Sequence, residues 1–300
     1  ADRKHGQLIK KMSGFLIKGS LHLEQWQIWE YIKQIYSYFC WKHVLCEKPM
    51  AVSLDECKEM VKTAEKTGKK LMIGHNQRFN RTHMKAKELI QNGAIGKVLS
   101  FKTTFGHGGP ETWTIDKKNV WFFDKRFSAF GAMADLGVHK TDLLIFLLET
   151  KVKKVTAVLK TLDKKDAEGN LINVDDNAIC IYEMENGAVG TMTASWTYYG
   201  EEDNSTIIYG SEGILKIYDD PNYSIVRIGK DGTKIYYELD KMQTNDNQTK
   251  SGIIDSWVAA IKNDTVPEVN GKDALDAMKA IFAALESSES GQTVEITEED

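Results

Sequence analysis

Proline and cysteine are scarce in this chain, four of each in 300 residues. With so few prolines, and 23 glycines spread along the chain, no stretch reads as a flexible or polyproline linker, so its domains are expected to dock closely. The cysteines, Cys40, Cys46, Cys57 and Cys180, form no CxxC pair and have no histidine at metal-ligand spacing. That argues against a structural metal and points to free thiols in a reducing compartment. An excess of one charge is also missing: 39 basic against 43 acidic side chains leave a formal net charge of -4. A polyanion finds no basic footprint here, which excludes nucleic acid as a partner. Long apolar runs are absent as well. Leu143 to Leu148 is among the longest, far short of the roughly 20 residues that span a bilayer. The opening ADRKHGQLIKK has no apolar signal-peptide core, so a cytoplasmic protein without membrane contact is expected. No Ser/His/Asp or Cys/His signature of acyl transfer occurs.

What is present is the composition of a globular protein, 42% hydrophobic and 27% charged, in a chain long enough to favour two domains over one. HVLCE (43–47) reads as a short buried strand. SLDECKEMVKTAEKTG (53–68) reads as a helix, with Ser53 as N-cap, Glu56 completing a capping box, Cys57, Met60, Val61 and Ala64 on the apolar face and Gly68 as the stop. KKLMIGHN is a second strand and RTHMKAKELIQNG a second helix ending at Gly93. This strand–helix rhythm implies a parallel, right-handed crossover unit, part of a doubly wound sheet. After Gly96 strands dominate, several alternating apolar and polar residues with period two as in an antiparallel or mixed sheet with one covered face. A helix interrupts them near Ala132 to Leu148, and two more close the chain. LHLEQWQIWEYIKQIYSYFCWK (21–42) holds three of the seven tryptophans and no glycine, and is expected to be an aromatic-rich helix. We place the domain boundary at residue 96.

Three stretches carry groups capable of chemistry. In EKPMA (47–51), Lys48 follows a parallel strand, where the loop opens toward the ligand crevice of an α/β sheet, and Pro49 holds it extended. On local pattern alone the favoured reading is a solvated strand-end charge. In ADLGVHKTD (134–142), Asp135, His139 and Asp142 lie four and three residues apart and share one face of a helix. A histidine flanked by carboxylates can be held in one tautomer and tuned as a base, although such pairs also decorate ordinary helix surfaces. Gly131, Ala132 and Gly137 indicate close packing there. GHNQRF (74–79) follows the next strand, beside the Lys48 loop, and its polar groups suit a ligand with phosphate or hydroxyl groups. His43, His83 and His107 have no assigned role, and GHGG (106–109) lacks the spacing of a phosphate-binding loop. Trp121-Phe122-Phe123 reads as core or cleft wall.

EKPMA, GHNQRFN (74–80), NGAIGKV (92–98), ADLGVHKTD and GSEGIL (210–215), with the ending GKDALDAMKAIFAALESSESGQTVEI, resemble the Gfo/Idh/MocA oxidoreductases, the family of glucose-fructose oxidoreductase and inositol 2-dehydrogenase, over about residues 42–296. The resemblance implies an α/β fold: a Rossmann-type parallel-sheet domain, here incomplete at its amino-terminal end, and a carboxy-terminal α/β domain with a large, mostly antiparallel open sheet that pairs subunits into a homodimer or homotetramer. It implies hydride transfer between NAD or NADP and a secondary hydroxyl of a sugar, inositol or related polyol. Lys48, Asp135 and His139 would be catalytic, with His139 as base, Asp135 orienting it and Lys48 stabilising the alkoxide. Glu47, Pro49, Asn76, Gln77 and Arg78 would line the cofactor, and His75, Trp121 and Asp142 the substrate. No metal is implied. The family's GxGxxG turn has no counterpart in residues 1–46, a loss that matters because those glycines let backbone approach a pyrophosphate. Two readings stay open: a reading-frame fault upstream of His43, or a naturally shortened protein that binds no dinucleotide, a cofactor-free sugar-binding or assembly module.

Overall fold

The computed structural model describes residues 20–23, 42–114, 120–128, 130–240 and 251–297. The first sheet is small and parallel, with strands β1 (Ser20–Leu23), β2 (His43–Cys46) and, after helix α1 (Leu54–Thr67), β3 (Leu71–Ile73) in spatial order β1-β2-β3. Helix α2 (Arg81–Gln91) follows a 3-10 turn at Asn76–Phe79. Local chemistry explains these boundaries. Ser53 Oγ accepts the Glu56 N–H at the start of α1, Gly68 ends it at φ 62°, and Asn80 accepts the Thr82 N–H at the start of α2.

β1 differs from the expectation of a helix over 21–42, because Leu21–Leu23 pair in parallel with Val44–Cys46. A four-residue strand is too short for periodicity to announce. Residues 24–41 of that expected helix lie outside the described residues.

Strand β4 (Val98–Gly106) opens the second sheet. After the short helix α3 (Lys125–Ser128), the expected helix near 132–148 begins as a π turn at Met133–Gly137 and continues as α4 (Val138–Leu148). Then come β5 (Val152–Lys160), β6 (Asn177–Met184), β7 (Val189–Ser195), β8 (Thr206–Gly210), β9 (Gly213–Ile217), β10 (Ile225–Gly229) and β11 (Lys234–Tyr237). Helices α5 (Ile253–Lys262) and α6 (Gly271–Ser290) and strand β12 (Val294–Glu295) finish the described chain. The nine strands run in the order β11-β10-β9-β8-β4-β7-β6-β5-β12, and β4–β7 is the one parallel pair among them. In β6 burial alternates residue by residue, the imprint of one covered and one open face.

Helix α4 lies between the two sheets and is buried on nearly every side. It packs against α2, α6, β4 and the Asn76–Phe79 turn. Helix α6 spans both halves: it rests on β5 and also touches α1 and β3, and Ile73 donates its N–H to Val269 O at 3.0 Å just before α6 begins.

The approach to the π turn is as tight as its glycines indicate. A Cβ on Gly131 would stand 1.7 Å from the Asp175 backbone oxygen, and one on Gly137 would stand 2.7 Å from Met133 Sδ. Because the Gly131 clash is with backbone, no rotamer relieves it. Gly131→Ala is expected to lower stability by about 3 kcal/mol, read as a shift of the urea midpoint at unchanged m-value; a shift smaller than the scatter between replicates refutes the close approach.

Candidate active site

Lys48 leaves the end of β2 and donates from Nζ to Asp135 Oδ1 and to Asp135 O, each at 2.8 Å. Both side chains are largely buried, 15% and 9% exposed. Trp196, fully buried just beyond β7, donates its indole N–H to Asp135 Oδ2 at 3.1 Å. Both carboxylate oxygens are therefore engaged. Burial pushes the Asp135 carboxyl up, but the Lys48 ammonium and its hydrogen bond outweigh that and hold it below the usual carboxylate range.

His139 stands beside this pair in α4. Its ring meets His75 edge-on at 6.4 Å between centroids and Phe105 at 6.0 Å. Burial, and then the charge of Lys48, hold its pKa well below the usual imidazole value. Its imidazole is therefore neutral at physiological pH. Asp135 does not hydrogen-bond it, as the orienting role implied by the resemblance would require. The π turn intervenes between ordinary α-helical spacing and the Asp135 side chain, which reaches Lys48 and Trp196, and His139 Nδ1 is buried without a partner.

Asp142 and Arg78 also depart from expectation. Rather than turning to substrate and cofactor, they face each other, with Arg78 Nε at 2.8 Å from Asp142 Oδ2 and Nη2 at 2.6 Å from Oδ1. Both are buried, a two-pronged guanidinium–carboxylate pair that fastens the Asn76–Phe79 turn to α4. Their charges sit 64 residues apart in sequence, so helix spacing carried no sign of the pair. His75 is sealed behind them, its Nε2 at 3.8 Å from Asp142 Oδ1, and burial lowers its pKa despite that carboxylate.

The remaining expected residues lie around this centre. Glu47 crosses the end of β3 so closely that a Cβ on Gly74 would stand 2.7 Å from its Oε2, and Pro49 is buried behind Lys48. Asn76 Oδ1 and Gln77 Oε1 are buried acceptors without partners. Trp121 stacks on Phe122 at 3.8 Å, and Phe122 meets Trp196 edge-on at 6.3 Å, which links Trp121 to the Asp135 cluster through two rings.

Sequence reasoning missed Trp196 and His107. Trp196 ends an alternating strand and, like most buried indoles, needs an acceptor for its N–H; that need was its only signal. His107 Nδ1 accepts the Gly109 N–H at 2.9 Å, and its pKa is lowered by burial, with Asp135 and Lys48 as its nearest charged influences. Lys140 points away from the centre: its buried ammonium donates to Asn204 O at 2.8 Å and Thr206 Oγ1 at 3.3 Å, anchoring the approach to β8, and burial lowers its pKa to about 7. Among the described residues no group of three or more His, Cys, Asp or Glu is placed to hold a metal ion, and no helix is long and apolar enough to cross a membrane.

Loops from a parallel sheet that deliver a lysine and an imidazole to one buried helix, backed by a broad antiparallel sheet, place the fold with the Rossmann-type oxidoreductases. The family model described as "Oxidoreductase family, NAD-binding Rossmann fold" matches residues 29–75, and "GFO/IDH/MocA C-terminal domain" matches residues 83–216. The chain belongs to the Gfo/Idh/MocA family. It is 30% identical over 194 residues to levoglucosan dehydrogenase from Pseudarthrobacter phenanthrenivorans, a match covering 58% of this chain and 48% of that protein. Against myo-inositol 2-dehydrogenase from Thermotoga maritima it is 25% identical over 261 residues, 86% of this chain and 73% of that one. The fold is similar to a levoglucosan dehydrogenase solved with NADH and levoglucosan, with a TM-score of 0.79 at 21% identity, covering 93% of this chain and 80% of that one.

Two measurements test this geometry. Asp142→Leu alone takes from the buried Arg78 its two-pronged partner, leaving Asp273 at 3.5 Å, and is expected to cost about 3 kcal/mol, whereas Arg78→Met with Asp142→Leu recovers most of it; a double variant no more stable than the single one in urea refutes the coupling of the two charges. His75, His83 and His139 all have depressed pKa values in the fold, His83 down to about 3. The unfolded chain protonates them below about 6.5, so their stabilisation is full above that pH and is lost as pH falls toward the folded values. Three carboxyls raised by burial, Asp175 to about 6 and also Glu202 and Asp276, act in the opposite direction, against five histidines once His43 and His107, lowered too, are counted. The urea midpoint is therefore expected to fall from pH 7 to pH 5, and a flat or rising midpoint contradicts the burial of neutral histidines.

Proposed function

We propose that the chain is an NAD(P)-dependent dehydrogenase that moves a hydride between nicotinamide and a secondary hydroxyl of a sugar, inositol or related polyol. One observation carries the reading: an ammonium held at 2.8 Å by Asp135 beside a buried, neutral imidazole at the strand ends of the first sheet. An ammonium has three N–H donors, and Asp135 occupies two of those on Lys48. The third is left to stabilise an alkoxide oxygen, with Lys48 locked in place by Asp135 and Trp196. His139, neutral at working pH, takes the hydroxyl proton on a ring nitrogen and returns it in the reverse direction. Trp121 flanks the substrate, His75 packs edge-on behind His139, and His107 closes the centre from the β4 side. Asp142 acts from behind, as the anchor of Arg78.

The chain's residues fit the nicotinamide end of a dinucleotide. Asn76 Oδ1 and Gln77 Oε1 are buried acceptors without partners, suited to a carboxamide N–H, and Glu47 and Pro49 complete the wall, with Arg78 bracing the turn. When bound there, nicotinamide supplies the hydride acceptor or donor. No GxGxxG spacing occurs in the chain before β2, so the fit rests on this end. Relatives of like name, the levoglucosan and myo-inositol dehydrogenases, support the substrate class.

We further propose two domains, divided at residue 96 between α2 and β4, and a homodimer or homotetramer formed through the second sheet. Its open face exposes Val158 at 54%, Ile179 at 56% and Ile181 at 49%, with Val158 and Ile179 directly paired across β5 and β6. Contiguous exposed aliphatics of this kind mark an association face. A cytoplasmic location accords with the free thiols of Cys46, Cys57 and Cys180.

Titration with NADH and NADPH, followed by fluorescence, is expected to give saturable binding to at least one of them; no binding at millimolar cofactor overturns the reading. With a polyol panel, Lys48→Met is expected to lower kcat by about 100-fold or more while leaving cofactor affinity nearly unchanged. Ile181→Asp is expected to yield monomers in light scattering, and an unchanged assembly argues against the sheet face.

A further inference from the structure

Lys48 and Asp135 hold each other, yet Asp135 itself rests on a π turn, a geometry that ordinary α-helical bonding does not fix. What grips that turn comes from the chain just before β6. The Asp175 carboxylate accepts the Gly131 N–H on Oδ1 and the Met133 N–H on Oδ2, each at 2.8 Å, and the Asp175 backbone oxygen accepts the Ala132 N–H between them, also at 2.8 Å. Resting on the dehydrogenase reading above, we propose that Asp175 is a positioning residue for the Lys48–Asp135 pair, acting through the π turn, and that Asp176 beside it secures the Trp196 end of the same carboxylate.

The N–H groups at the entry to a helix have no partner within it, and here one residue of another element answers three in a row. Gly131 then accepts the Asp135 N–H on its own oxygen at 3.0 Å, so the segment that Asp175 grips is the one that seats the Asp135 backbone. That backbone belongs to the lysine site, because Lys48 Nζ donates to Asp135 O as well as to Oδ1. A carboxylate is the side chain suited to this place. Ionised, it only accepts, whereas an amide of the same size would turn a donor toward one of the two N–H groups. Burial raises the Asp175 carboxyl to about 6 in spite of both donors. The anion is therefore a costly cap, where a serine would close a helix end with no charge to bury. What the carboxylate adds is a two-point grip, which sets the direction of the turn as well as its place.

Asp176, itself buried, continues the support on the other side. Its backbone oxygen accepts the Trp196 N–H at 2.8 Å, and the Trp196 indole holds Asp135 Oδ2. Its carboxylate gathers the N–H groups of Leu162, Asp163 and Lys164, each at 2.8 Å. Lys164 in turn donates to Gly108 O at 2.6 Å and to Glu111, in the loop that follows His107. Two consecutive aspartates thus tie the π turn, Trp196 and the His107 loop to one point at the head of β6. A displacement at that point reaches Lys48 by two routes, through the Asp135 backbone and through the carboxylate that Trp196 holds.

The test reads the Trp196 indole N–H in nitrogen–proton NMR of the full chain, assigned through Trp196→Phe. Asp175→Asn is expected to shift that resonance well beyond its linewidth. Asn270→Ala removes a comparable cap from α6, where Asn270 Oδ1 accepts the N–H groups of Lys272 and Asp273, and is expected to leave the resonance in place. In turnover assays Asp175→Asn is expected to lower kcat by about 100-fold with KM little changed. Combined with Lys48→Met it is expected to cost no more than about threefold further, since residues that act as one unit do not add. An unmoved indole resonance in folded Asp175→Asn, an equal shift in Asn270→Ala, or the full loss of kcat repeated in the Lys48→Met background overturns the proposal. Should Asp175→Asn fail to fold, Asp175→Ser, whose hydroxyl cannot span both N–H groups, decides alone: an unmoved indole resonance there also overturns it. The NMR result does not require turnover. Absence of cofactor binding or dehydrogenase activity with the indole shift observed would therefore retire the catalytic reading and leave the positioning of Asp135 standing.

Discussion

The ion pair between Lys48 and Asp135 is the constraint on which the rest of the site depends. It joins the tip of a strand in the small parallel sheet to a helix 87 residues later, and Trp196 brings the second sheet to the same carboxylate. Removing both charges from water costs several kcal/mol. The cost is offset because each carboxylate oxygen has a donor and the ammonium also reaches the Asp135 backbone oxygen. A lysine held at both the carboxylate and the carbonyl has little rotamer freedom left, which is what preorganised stabilisation of an oxyanion requires.

Helix α4 carries the second consequence. It is buried on nearly all sides yet presents His139, Lys140, Thr141 and Asp142 in succession, so the elements packed around it must receive them. Lys140 goes to the approach to β8 and Thr141 to Tyr182 on β6, while Asp142 goes to Arg78 beside β3. His139 alone keeps a buried nitrogen without a partner. Such a helix has one seating in which its polar groups are answered, since any rotation or slip would strand several of them at once. The position of His139 is thus fixed by the polar residues around it as much as by apolar packing.

Membership of the Gfo/Idh/MocA family and the site geometry reinforce each other without being the same argument. The family matches cover residues 29–75, with the strand and the EKP turn, and residues 83–216, with α4 and the strands β4 to β8. The geometry adds which charges are coupled to which. In this chain the two carboxylates of the ADLGVHKTD stretch serve different partners, one the lysine and one the arginine, and the histidine between them sits closer to another histidine than the motif alone indicates.

What the sequence determined by itself was local. Ser53, Gly68 and Gly93 mark helix ends because caps and left-handed turns act over a few residues. The alternation of β6 announces its open face because the side-chain period of a strand is two. Gly131 and Gly137 signalled close packing because absent side chains leave room for nothing else. The tertiary structure decided the rest: the parallel pairing of β4 with β7, the π turn that re-aims Asp135, and the meeting of Arg78 with Asp142 across 64 residues. Spacing along a helix says which side chains share a face. Which charge each one meets depends on the segment packed opposite, and that is set by the burial of the whole core.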